Sequence, residues 1–136
     1  KELPPGRGTA KEGAPLFAQQ CAACHGPNGN GGASASRLVA SDPTSGKFTQ
    51  KSATNYYPYA TIAWDFINRS MPANKPGSLT PNQVYSLTAY LLFRNAVIKE
   101  TDVMDAMTLP KVQMPNRNGF IPAVPVWPPV AKPSWY

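Results

Sequence analysis

The run Cys21-Ala22-Ala23-Cys24-His25 constrains this chain more than any other stretch, because two thiols and an imidazole packed this closely serve few purposes. Two cysteines spaced this way on the last turn of a helix present both sulfurs to one edge of a porphyrin, and the residue that follows reaches the iron. The run therefore reads as a covalent attachment site for c-type haem, with His25 as proximal axial ligand. Half a zinc site, a thioredoxin-like dithiol and chance are the competing readings. Zinc needs further Cys or His, yet the chain holds 2 Cys and 1 His in all, which leaves a tetrahedral site incomplete. A redox dithiol belongs beside a strand-helix-strand pattern, and none is visible.

A chain of 136 residues is one domain with a modest core, which a haem would enlarge. Its 16 prolines and 10 glycines imply long non-repetitive segments, as a ring wrapped by loops requires. The formal charge of +6 comes from scattered Lys and Arg. No basic stripe suggests nucleic acid, and the moderate excess suits steering of a weak encounter with a protein partner. No stretch approaches the roughly twenty apolar residues of a membrane span. The absence of an initiator Met at Lys1 fits a mature, exported piece.

Residues 1–8 read as an extended arm. Thr9 and Glu12 have capping-box spacing, and a helix is expected from about Lys11 through Phe17 to about Cys24, with Pro15 tolerated near its start. Residues 26–54 are rich in Gly, Ser, Asn and Pro and read as loop. Within it Arg37 and Leu38 are candidate haem contacts, Arg37 toward a propionate and Leu38 toward the ring. Tyr56, Tyr57 and Tyr59 cluster around Pro58, with Tyr57 a candidate for the pocket wall. A short helix is expected over 60–70, burying Ile62, Ala63, Phe66 and Ile67, with Trp64 and Arg69 near the ring edge. Thr80, Pro81 and Gln83 mark a second helix start. That helix is expected to reach about Ile98 with Val84, Leu87, Leu91, Asn95 and Ile98 on one face. Beyond it, Asp102–Met107 suggests one helical turn and 109–120 irregular chain. The proline-rich stretch 121–136, with Trp127, Trp135 and Tyr136, favours polyproline II.

Met71-Pro72 stands 46 positions after His25, directly beyond the short helix. A thioether is a soft ligand that would oppose the imidazole, and Met/His ligation raises a haem's reduction potential. Met104, Met107 and Met114 are rivals, but they follow the last long helix, so Met71 is the candidate second ligand.

On these residues the chain resembles a class I cytochrome c over about 9–98, with Cys21-x-x-Cys24-His25 as attachment motif and Met71-Pro72 as distal-ligand motif. A narrower likeness runs through Tyr57-Pro58-Tyr59-Ala60-Thr61, Asp65-Phe66-Ile67-Asn68-Arg69-Ser70-Met71-Pro72, Val84–Leu92 and Leu109–Arg117. There it resembles the cytochrome subunit of sulfane or sulfite dehydrogenases. Those cytochromes are commonly two-haem chains, whereas this one has a single motif.

The resemblance implies an all-α, cytochrome c-like fold: three main helices around one covalent haem, with long loops and an extended proline-rich C-terminal tail. Residues 1–8 would be an extension, 9–108 the cytochrome domain and 109–136 the tail. Tyr90 would pack near Gly13 and Phe17 where the first and last helices cross. The implied function is one-electron transfer without substrate turnover, in the periplasm, where c-type haem is attached. The partners would be a redox protein, such as a molybdenum-containing dehydrogenase subunit, and a downstream acceptor. A freely diffusing carrier serving another dehydrogenase or a terminal oxidase is the alternative, followed by a haem enzyme or gas-binding protein.

Overall fold

Local chemistry sets the start of each long helix. Thr9 Oγ1 accepts from the backbone N–H of Glu12 at 3.3 Å, while the Glu12 carboxylate accepts from the N–H of Thr9 at 2.8 Å. This reciprocal pair starts α1, which runs Ala10–Gln20, in a computed structural model that describes residues 2–40 and 51–120. Pro15 sits inside α1 on its solvent side, so the carbonyl it leaves without a donor faces water. The helix does not continue to Cys24. Cys21, at φ −124° and ψ −35°, leaves helical geometry, and α2, Ala22–His25, follows as a separate turn.

After the loop over 26–40, α3 spans Ala53–Tyr56, started by Ser52 and Asn55 in a second capping box. A helix therefore begins where loop was expected. The next helix, α4, spans Ala60–Ser70 and buries Ala60, Ala63, Trp64 and Ile67. Ile62 and Phe66, expected inside, are 37% and 46% exposed. With Ile62, Ala63, Trp64, Phe66 and Ile67 spread over more than one face of this helix, periodicity alone did not choose the inward stripe; Trp64, the largest, took the core.

The longest helix, α5, spans Pro81–Arg94, with Thr80 as N-cap and Pro81 at the first position. It ends four residues before Ile98. The Ala96 N–H donates to the Phe93 carbonyl at 2.9 Å and the Val97 N–H to the Leu92 carbonyl at 3.0 Å. Ala96 holds a positive φ of 55°, completing a Schellman ending with alanine where glycine is usual. Every residue from Tyr85 to Leu92 is buried, so α5 is the axis of the core.

α1 crosses α5 at Gly13, where an added Cβ would overlap the Ser86 carbonyl oxygen and Tyr90 Cβ. The Phe17 and Tyr90 rings stack beside that crossing with centroids 5.2 Å apart, as expected. The arm is less free than its composition suggests: Tyr85 donates its hydroxyl to the Pro4 carbonyl at 2.9 Å. It ends in strand β1, Arg7–Thr9, paired antiparallel with β2, Val103–Asp105, with Gly8 opposite Met104. A strand thus stands where one helical turn was expected. The Asp105 carboxylate then accepts from the N–H groups of Met107 and Thr108, each at 2.8 Å. A 3₁₀ turn over Leu109–Lys111 completes the described elements. The polyproline expectation for 121–136 lies outside the described residues.

Candidate functional site

Residues of all five helices α1 to α5 and of the loop over 26–40 line a cavity of about 610 Å³, within the range of pockets that bury a cofactor. Cys21, Cys24 and His25 reach it from α2 and its N-cap, Leu38 from the loop, Tyr57 from the end of α3 and Met71 from the C-cap of α4. The break at Cys21 matters here. Cys21 is half-buried and Cys24 exposed, so both thiols stand at the wall. Burial, and secondarily the neighbouring Cys24, pushes the Cys21 thiol up to about 11.

His25 is 8% exposed, and its Nδ1 lies 2.8 Å from the Ser36 carbonyl oxygen. A carbonyl only accepts, so Nδ1 carries the proton and donates. That tautomer leaves the Nε2 lone pair for a metal, the usual orientation of a ligating imidazole by a backbone acceptor. The Ser36 carbonyl is held in turn: the Gly31 N–H donates to the His25 carbonyl at 2.9 Å, and the Gly29 carbonyl accepts from Leu38 and Val39. Gly29 has a φ of +71°, and a Cβ there would press on Val39 Cγ2 at 2.8 Å.

The rival methionines are elsewhere. Met104 and Met114 are buried at 4% and 3% away from the cavity lining, and Met107 is 70% exposed. Arg37 is not on the lining; its Nε donates to the Asn30 carbonyl at 3.4 Å. Arg69 is exposed and pairs with Asp65. Trp64 also lies behind the wall, packed on Tyr85 with centroids 5.4 Å apart, although its neighbours Ala63 and Ile67 line the cavity. Its Nε1 is buried with no hydrogen-bond partner among the described residues. Sequence reasoning missed Phe66, Ile67, Leu87 and Leu91 as lining residues. Leu87 and Leu91, like Ala63 and Ile67, stand four apart, which marks a helix face but not which part of it meets a cavity.

These residues fit haem c. The wall pairs two thiols and an imidazole with a thioether, and aliphatic side chains fill the space between them. The indole N–H of Trp64, buried without a partner among the described residues, lies behind this wall and is not among the lining groups. Among the described residues no three His, Cys, Asp or Glu converge as a metal site, so the Cys-x-x-Cys-His run has no zinc partners there.

Comparison with known proteins agrees with this chemistry. The family model described as Cytochrome c matches residues 10–93. A chain of the sulfane dehydrogenase SoxCD from Paracoccus pantotrophus is 34% identical over 88% of this chain and 60% of its own length, with a TM-score of 0.77. This chain thus spans about three-fifths of that relative. A chain of the thiosulfate dehydrogenase TsdBA from Marichromatium purpuratum is 25% identical over 71% of this chain and 20% of its own, with a TM-score of 0.50. No curated protein matches.

Proposed function

The chain belongs to the cytochrome c family, and from that premise we propose that it accepts single electrons from a periplasmic sulfur-compound dehydrogenase and passes them to a downstream acceptor. As a cytochrome c it is an electron carrier and not an enzyme in itself. In this reading Cys21 and Cys24 hold one haem c through thioethers, and His25 and Met71 are the axial ligands. The observation that carries it is the arrival of these four side chains, from two segments 46 positions apart, at one cavity.

When bound, haem c supplies a one-electron Fe(II)/Fe(III) couple. The chain's own residues do the rest. The Ser36 carbonyl keeps Nε2 of His25 directed at the ligand position. Leu38, Ile67, Leu87 and Leu91 exclude water, and Tyr57 closes the wall. With His25 and Met71 both holding the iron, the chain would leave no position for substrate or gas to bind there. No described helix is long and apolar enough to cross a membrane.

The likeness to SoxCD and TsdBA supports a sulfur-compound dehydrogenase as donor; a molybdenum-containing subunit is the specific partner of this proposal. Purification from the native organism tests it: a molybdenum subunit that elutes with the chain supports the pairing, and a chain eluting alone with full haem content favours a diffusing carrier. Replacing Met71 by Ala is expected to lower the reduction potential and remove the weak red band of Met–Fe(III) ligation, while Met114→Ala does neither. Ready binding of cyanide or carbon monoxide by the unmodified protein would instead mean an open coordination position.

A further inference from the structure

We propose that Asn95 is a positioning residue for the haem site: its one carboxamide fixes the loop segment 36–40, and through that segment the orientation of the His25 imidazole. The inference rests on the reading of His25 as axial ligand. Asn95 caps the end of α5 at 5% exposure, and it makes four hydrogen bonds in four directions. Its Oδ1 accepts from the Ala40 N–H at 3.1 Å and the Ser52 hydroxyl at 2.9 Å. Its Nδ2 donates to the carbonyls of Leu38 at 2.9 Å and Leu91 at 2.8 Å. The three backbone partners fix which end is which, since a flipped amide would oppose carbonyl to carbonyl and N–H to N–H.

Each bonded segment carries part of the cavity wall. Leu38 and Leu91 line it, and Ser52 caps α3, whose Ala53 and Thr54 line it. Leu38 stands two residues beyond Ser36, the acceptor of the His25 Nδ1–H. On its other edge the segment is tied to Gly29 through Leu38 and Val39. Pulled between Gly29 and Asn95, the Ser36 carbonyl has little room to turn. No other side chain on so short an arm offers two donors and two acceptor sites: aspartate keeps the acceptors and loses both donors, and leucine has neither.

A merely structural staple would lower stability and leave His25 unchanged, so the test reads the imidazole directly. In the haem-loaded protein, Asn95→Ala and Asn95→Asp are expected to speed exchange of the His25 Nδ1 proton, followed by NMR, by roughly tenfold. Asn95→Ala should also raise the reduction potential, because an imidazole that loses its acceptor donates less charge to iron. Thr9→Ala, which removes a cap remote from the cavity, is the control that loses stability with neither effect. Unchanged proton exchange and potential in an Asn95 variant that folds would overturn the inference. Should neither variant fold, exchange in the unaltered protein decides: the Ala40 amide and the His25 Nδ1 proton should open together, and Ala40 exchanging more than about tenfold faster would show that the loop opens without releasing His25. A protein without covalent haem, by mass, would sink the haem reading itself rather than the role of Asn95.

Discussion

At Ala96 an L-residue holds a φ of 55° to close α5. That conformation costs an alanine about 1–2 kcal/mol, part of which glycine gives back through its freer unfolded chain. Ala96→Gly is therefore expected to stabilise the protein by about 0.5–1 kcal/mol, read as a higher urea midpoint at constant slope. At the other end of the core, Thr9 and Glu12 close the capping box of α1. Hydrogen bonds from the Thr9 side chain, then its backbone, hold the Glu12 carboxyl below the usual glutamate range. A depressed folded value means stability that is present above the ordinary pKa and lost as pH falls through the lowered one. Thr9→Ala should cost about 1 kcal/mol at pH near 7, and less in acid once Glu12 is protonated. An equal cost at both would show that the carboxylate plays no part. The cap, the two cysteines and His25 could be named from the sequence, because each acts through chemistry confined to a few neighbouring positions, whereas Met71 stood as one candidate among four methionines. Asn95 could not, because three of its four partners lie 43 to 57 positions away.

The three long helices were legible for the same local reason, through caps and spacing. Their exact spans were not: α1 stops at Cys21 and α5 at Asn95, where side chains and backbone turn toward partners far along the chain. The fit of α1 on α5 depends on Gly13, which lies against Ser86 and Tyr90. Gly13→Ala favours helix by propensity, yet the added methyl has no space, so it should destabilise by about 1–3 kcal/mol. A stabilised Gly13→Ala variant in thermal unfolding would mean that the helices sit further apart. The strand pair of β1 and β2 went unread because two three-residue segments nearly a hundred positions apart carry no periodicity until they meet.

For the molecule as a whole, an excess of six positive charges favours encounter with an acidic partner surface. Electron transfer with the native partner is expected to slow as ionic strength rises toward about 0.15 M, where the screening length is about 8 Å. Stopped-flow rates independent of salt would rule out that steering. The sequence by itself determined the family chemistry: a Cys-x-x-Cys-His run brings two thiols and an imidazole together whatever surrounds it. Only the tertiary structure decided which methionine reaches the cavity, that Trp64 and Arg37 stand behind its wall, and that a lone amide at the end of α5 ties down the loop that orients His25. Attachment chemistry is local and survives in a short motif. The shape of a cavity is a property of segments that become neighbours only when the core closes around α5.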